Sequence, residues 1–241
     1  MRRRERGAPP RGRRGGLSHA LPNPSPPPLP ARAEFEQIYE RLGVDITERG
    51  ESFYNDMLPA LVDDLVSKGV AAESQGAIAA FTPGHKIPLM VRKSDGGFGY
   101  ATTDLAAVKQ RFADEKADWV IYVTDAGQSQ HFAQVFAAAR AAGYIPEPNA
   151  GTGFPRVDHV GFGLVLGADG KRIRTRDEGA AVRLVELLDE AVSRCADSMR
   201  TKEAERPRGL DSAAIEAASK AMGYGAVKYA DLKNNRMTNY K

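Results

Sequence analysis

At 241 residues, 42% hydrophobic and 27% charged, the chain has the composition of a soluble globular protein and ample length to bury a core. No stretch approaches the roughly 20 apolar residues that span a bilayer, which excludes a transmembrane protein, and the single cysteine, Cys195, cannot form an internal disulfide, which fits a reducing compartment. The net charge of +3 traces to the first 14 residues, where seven arginines face one acid, Glu5, so overall charge implies no nucleic-acid partner.

Residues 1–33 are rich in Arg, Gly and Pro and close on Asn23-Pro-Ser-Pro-Pro-Pro-Leu-Pro30. Such a segment buries too little apolar surface to offset its ordering entropy, so disorder is expected. A plain unfolded extension, an organellar transit peptide, an RNA-binding arm and translated sequence outside the mature protein all fit it. From Glu34 the composition turns globular. Phe35, Ile38, Tyr39 and Leu42 recur at helical spacing before Gly43, and a second helix is expected from near Ser52, carrying Phe53, Met57, Leu61, Leu65 and Val66 to a Lys68-Gly69 stop. Between them, Glu48-Arg-Gly-Glu-Ser52 reads as a turn whose acids favour the positive end of a helix.

Short strands are expected at Ile78–Phe81 and Ile87–Val91, around a Thr82-Pro-Gly-His85 turn that leaves His85 a solvated loop histidine. Lys93-Ser-Asp-Gly-Gly-Phe-Gly99 follows, with three glycines in four residues, yet it matches neither GxGxxG nor a P-loop. Thr102 or Thr103 is then expected to cap a helix with Leu105, Val108 and Phe112 on its apolar face. Asp104 either complements that helix dipole or faces a ligand.

The next stretch organises the chain. Trp119-Val-Ile-Tyr-Val123 reads as a buried strand, Thr124, Asp125, Gly127, Gln128 and His131 as a polar turn, and Phe132 to Ala142 as an alanine-rich helix ending at Gly143. In parallel α/β sheets ligands sit at the carboxyl ends of strands, so a small molecule is expected there. A Pro/Gly-rich loop leads to a second strand, His159-Val-Gly-Phe-Gly-Leu-Val-Leu-Gly167, whose glycines permit close approach of a flat ligand. After the Ala168-Asp-Gly170 turn, Lys171-Arg-Ile-Arg-Thr-Arg176 is either a mobile phosphate clamp or a solvated charge run.

Leu184, Leu187, Leu188, Ala191, Val192, Cys195 and Met199 mark a long amphipathic helix, with Cys195 a buried structural thiol. After a charged linker through Arg206-Pro207, residues 211–232 read as a helix interrupted at Gly223 and Gly225, ending in a polar run.

Seven segments, in order, resemble the second half of the catalytic domain of arginyl-tRNA synthetase, a class I aminoacyl-tRNA synthetase, in its eukaryotic form. They are Glu48-Arg-Gly-Glu-Ser-Phe-Tyr54, Lys93-Ser-Asp-Gly-Gly97, Tyr100-Ala-Thr-Thr-Asp104, Ile121-Tyr-Val123 with Gly127, Gln128 and His131, His159-Val-Gly-Phe-Gly163, Lys171-Arg-Ile-Arg-Thr-Arg176 and Tyr224-Gly-Ala-Val-Lys-Tyr-Ala-Asp231. The resemblance implies an α/β fold: residues 34–183 as the second half of a Rossmann-like parallel-sheet catalytic domain, and 184–241 as a helical region leading to an anticodon-binding domain.

It further implies that Tyr100, Asp104 and Gln128 bind the substrate L-arginine, that His159, Gly161 and Gly163 border ATP, and that Lys171, Arg174, Thr175 and Arg176 form the catalytic KMSKS-like loop acting on ATP and its Mg2+. By the same resemblance His131 is a structural or supporting residue, the partners are L-arginine, ATP and tRNA-Arg, and the protein is a monomer of the cytoplasm, or of an organelle if the tail is a transit peptide. Two departures stand out. Asp177-Glu-Gly179 makes the basic loop one residue longer and more acidic, and none of His19, His85, His131 and His159 sits in a HIGH signature. The expectation is therefore a partial arginine–tRNA ligase, inactive by itself. The alternatives are a non-catalytic paralogue or arginine-binding regulatory module, and a nucleic-acid-binding protein using the Arg-rich tail.

Overall fold

A computed structural model describes residues 29–166, Gly170 and residues 184–239. Helix α1 (Leu29–Leu42) leads through an extended segment to a 3-10 helix at Glu51–Met57, which continues as α2 (Leu58–Ser67). Strands β1 (Ala71–Ser74), β2 (Ala77–Ala80) and β3 (Leu89–Arg92) precede α3 (Tyr100–Ala113), β4 (Trp119–Asp125), α4 (Ser129–Ala141) and β5 (Arg156–Phe162). Two long helices, α5 (Leu184–Glu205) and α6 (Ser212–Leu232), follow. Helix α1 begins at Leu29, inside the segment expected to be unstructured, and β1 was not foreseen.

The glycine stops lie where expected. Gly43, Gly69 and Gly143 have φ of 62°, 69° and 71°, and at each the glycine N–H and the next N–H bond back to carbonyls three and five residues earlier, as Val44 does to Tyr39 at 2.8 Å. This left-handed closure is cheap only without a Cβ.

Strands β1, β2 and β3 form an antiparallel sheet in that order, while β4 and β5 pair in parallel with α4 as their crossover, Tyr122 opposite His159 and Asp125 opposite Phe162. The core lies where α2, α3 and α4 meet these sheets: Leu61, Leu65, Leu105, Val108, Val120, Phe132 and Val135 are all buried. Strand β4 departs from the expected fully buried strand. Only Val120 and Tyr122 face the helices, and Trp119, Ile121 and Val123 are 46%, 45% and 62% exposed. Trp119 is partly clothed by its neighbour strand, its indole N–H donating to Asp158 (2.6 Å) and its ring lying under Arg156 (4.5 Å).

Two helix features also depart from expectation. The residue before α3 is Gly99 in extended conformation, without a side-chain cap; Thr102 is fully buried and its hydroxyl donates to the Val91 carbonyl, tying α3 to β3. Helix α6 runs unbroken through Gly223 and Gly225, capped by Asp211, whose carboxylate accepts from Ala214 N (2.7 Å). Gly223 is a contact point: a Cβ there would lie 2.8 Å from the backbone nitrogen of Val192 on α5. The α5–α6 turn is held by one Glu203 oxygen accepting from the N–H groups of Arg208, Gly209 and Leu210 at 2.6, 2.8 and 3.1 Å. Helix α1 joins this pair through Arg41, which donates to Asp189 (2.6 Å) and Tyr224 (3.0 Å). Cys195 is half-buried on α5.

Gly223→Ala should cost about 1–3 kcal/mol, because backbone must move, whereas Gly225→Ala, with open space around it, should stabilise by about 0.5–1 kcal/mol through helix propensity alone. Urea unfolding of the two variants checks the opposite signs.

A polar cluster fastens the far ends of α2, α3 and α4. Asp64 Oδ2 accepts from Tyr144 OH (2.7 Å), Lys68 Nζ (3.0 Å) and Lys109 Nζ (3.1 Å), and Lys68 also donates to the Ala142 carbonyl (2.9 Å). Burial pushes the Asp64 carboxyl upward, but the bonds from Tyr144, Lys68 and Lys109 together outweigh it and hold it down at about 2, against an ordinary 3.8. A depressed carboxyl contributes stability above its unfolded value and loses it as pH falls through the folded one. With the side chain 28% exposed, solvent screening leaves about 1–2 kcal/mol. Asp64→Asn should therefore be less stable by that amount at pH 7, and the gap to wild type should close as pH falls from about 4 toward 2, measured by urea unfolding across that range.

Candidate functional site

The carboxyl end of β4 opens into a cavity of about 640 Å³ lined by residues from four places: Arg49, Glu51 and Tyr54 beside the 3-10 helix, Tyr100, Thr103, Asp104 and Arg111 on α3, Thr124 and Asp125 on β4, and Gln128, His131 and Phe132 at the start of α4. Tyr100 and Asp104, four residues apart on one helix, present their side chains to the same side. The turn after β4 is shaped by Asp125, whose Oδ1 accepts from Gly127 N at 3.0 Å. A Cβ on Gly127 would lie 2.8 Å from that oxygen, so a larger residue there would displace the Asp125 side chain from the turn. Gln128 is the residue preceding α4, which starts earlier than the expected Phe132 and so brings His131 into its first turn.

Tyr100, Asp104 and Gln128, the three residues expected to meet arginine, thus share one cavity. The sequence reading missed Arg49, Tyr54 and Arg111 as lining residues. Arg49 lies over Phe53 at 4.8 Å and 3.7 Å from Glu115, and the Arg111 guanidinium lies over the Tyr122 ring at 5.0 Å. Arg49 and Tyr54 stand in the Glu48–Tyr54 segment with no role assigned to them, and Arg111, on the amphipathic α3, reads as a solvated charge.

His131 and His159 are both engaged. His131 Nε2 lies 2.6 Å from Asp104 Oδ2, and its ring rests 5.1 Å from Tyr100 and 5.2 Å from Phe132. His159 Nε2 lies 2.8 Å from Thr124 Oγ1, and its ring stacks on Phe132 at 5.0 Å. The glycines expected to admit a flat ligand admit the chain itself: a Cβ on Gly161 would be 3.0 Å from Ala126 Cα, and one on Gly163 would run into the Thr238 carbonyl. Gly163 N donates to Arg236 O (2.6 Å), Leu164 N to Asn239 Oδ1 (2.7 Å), and Arg236 donates to the Gly161 carbonyl. The described residues around these glycines offer a nucleotide no cradle. Lys171, Arg174, Thr175 and Arg176 lie outside the described residues.

The cavity therefore combines a part-exposed carboxylate, an exposed tyrosine and a primary amide, a set suited to holding a cation with several N–H donors. Beneath it, Tyr122 is buried and its hydroxyl has no hydrogen-bond partner among the described residues. Burial, opposed by the Arg111 charge, pushes its phenol up to about 12 from the ordinary 10. A raised value means that the stability it contributes is intact below 10 and is lost as pH rises toward 12. Tyr122→Phe should fold with stability within about 0.5 kcal/mol of wild type at pH 7, since no bond is broken. It should also lose one strongly alkaline step of the spectrophotometric tyrosine titration, the one that Tyr122 supplies.

A parallel strand pair with a crossover helix, and a polar cavity at the strands' carboxyl end, defines an α/β domain built on a parallel sheet. The chain belongs to the class I tRNA synthetase family, matching the description "tRNA synthetases class I (R), catalytic domain" over residues 30–241. It is 56% identical over 213 residues to the chloroplastic/mitochondrial arginine–tRNA ligase of Arabidopsis thaliana, 52% over 213 residues to the cytoplasmic one of the same plant, and 48% over 216 residues to the arginine–tRNA ligase of Thermosynechococcus vestitus. These matches cover 87% of the chain but only 32%, 35% and 36% of the relatives, so the chain spans about a third of their length. The crystal structure of arginyl-tRNA synthetase from Plasmodium falciparum superposes with a TM-score of 0.71 at 30% identity, over 88% of this chain and 34% of that one.

Proposed function

We propose that the chain is the arginine-recognising portion of an arginine–tRNA ligase. The observation that carries this reading is the meeting of Tyr100, Asp104 and Gln128 in one cavity, in a chain about half identical to arginine–tRNA ligases. Asp104 supplies the charge for a guanidinium, and the Tyr100 hydroxyl and Gln128 amide supply hydrogen bonds that a lysine ammonium or a neutral citrulline would satisfy less well. In the complete reaction of the family the arginine carboxylate attacks the α-phosphate of ATP, forming an arginyl-adenylate and releasing pyrophosphate, and a terminal hydroxyl of tRNA-Arg then takes the arginyl group as AMP leaves. ATP with Mg2+ enters this proposal from family membership alone, with Lys171, Arg174, Thr175 and Arg176 assigned to the leaving pyrophosphate. The chain alone binds arginine and does not charge tRNA. Relatives of similar likeness reside in the cytoplasm and in organelles; we place this protein in the cytoplasm as a monomer, and in an organelle if residues 1–33 act as a transit peptide.

Calorimetric titration of the purified chain tests the reading. L-arginine should bind saturably, L-lysine and L-citrulline more weakly, and Asp104→Asn should weaken arginine by about 10-fold or more, the worth of a charge-assisted pair. Equal binding of arginine and lysine would overturn it, as would absence of arginine binding. Arginine-dependent charging of tRNA by the purified chain would overturn the claim of inactivity.

A further inference from the structure

Resting on the arginine-pocket reading, we propose that His131 is a positioning residue that sets the plane of the Asp104 carboxylate and thereby the preference for a guanidinium over an ammonium. The two residues lie on different helices, α4 and α3, and meet across the wall of the cavity with Nε2 and Oδ2 2.6 Å apart. A carboxylate oxygen only accepts, so Nε2 carries the hydrogen and donates it. The imidazole is itself held: Tyr100 packs at 5.1 Å on one side and Phe132 at 5.2 Å on another, and the side chain is only 16% exposed, against 26% for Asp104.

A carboxylate's terminal torsion is broad and nearly two-fold, so an untethered aspartate samples many planes. One short hydrogen bond from a clamped ring removes that freedom. It engages Oδ2 and leaves Oδ1, with the remaining lone pair of Oδ2, for a ligand. Guanidinium is a planar fork whose paired N–H bonds need a coplanar carboxylate, whereas an ammonium is a point charge with freely rotating donors and is indifferent to the plane. Fixing the plane before binding therefore favours arginine selectively, through preorganisation and without a contact between His131 and the ligand.

The test compares wild type, His131→Ala and His131→Gln, whose amide N–H can stand where Nε2–H stands. L-arginine and L-lysine are titrated into each by calorimetry, and circular dichroism confirms that each variant is folded. His131→Ala should weaken arginine by about 5- to 20-fold and lysine by about twofold or less, and His131→Gln should recover most of the arginine affinity. Nitrogen-15 spectra of the unliganded wild-type chain should place the His131 ring hydrogen on Nε2. The proposal is overturned if arginine and lysine weaken by the same factor, if His131→Gln is no better than alanine, if a folded His131→Ala binds arginine as wild type does, or if the ring hydrogen resides on Nδ1 alone. Wild type that binds no arginine overturns the pocket reading itself and the role given to His131 with it. Wild type that binds arginine, with indifferent variants, overturns only the latter.

Discussion

The parallel ladder between β4 and β5 is the constraint on which the rest depends. Seven residues pair in register, Trp119 with Arg156 through Asp125 with Phe162, and side chains alternate between faces. A slip of one residue would send Val120 and Tyr122 outward and drive Trp119, Ile121 and Val123 against α4. Tyr122 would then leave Phe132 and Phe136, which it meets at 4.7 and 5.4 Å, and Arg111 would lose its aromatic shelf. Register thus fixes the seat of α4, and the seat of α4 fixes where Gln128 and His131 stand relative to Asp104.

The helices that carry the site are held at the ends remote from it. Near the cavity α3 and α4 touch through polar and part-exposed groups, while at the opposite end Asp64 gathers Lys109 of α3 and Tyr144 beyond α4 onto α2, and Lys68 reaches the Ala142 carbonyl just past α4. The apolar layer of Leu105, Val108 and Val135 lies between. Recognition needs side chains held to fractions of an ångström, and a site built on helices anchored elsewhere obtains that without closing its own mouth.

What was legible in the sequence were features with a local cause. Gly43, Gly69 and Gly143 end helices because only glycine adopts the required φ cheaply, and the apolar face of α3 follows from spacing. Features with a distant cause were misread. Thr102 looks like a cap until its hydroxyl is seen on Val91 of β3. Gly223 looks like a helix breaker until Val192 is seen against it. Trp119 to Val123 reads as a buried run because parallel sheets are usually covered on both faces, whereas among the described residues β4 is covered on one. The trio of Tyr100, Asp104 and Gln128 came from family resemblance; Arg49 lies in a resembling segment without a role assigned to it, and Arg111 lies in none. Gly161 and Gly163 carry the same lesson: a glycine announces a close approach without naming what approaches, and here it is Ala126 and Thr238.

The charges around the cavity decide what it can attract. Arg49 and Arg111 line it together with Glu51, Asp104 and Asp125, so simple counting would leave little net field. Their partners change that balance. Arg49 is drawn toward Glu115 and the Phe53 ring, Arg111 rests on Tyr122, and Asp125 turns one oxygen back to Gly127 N. Asp104 is met by the His131 ring, whose Nε2 lies 2.6 Å from Oδ2. Guanidinium is weakly hydrated compared with ammonium and costs less to strip of water, so under the proposed arginine reading a part-exposed carboxylate fixed in plane would discriminate between the two cations by geometry and desolvation together.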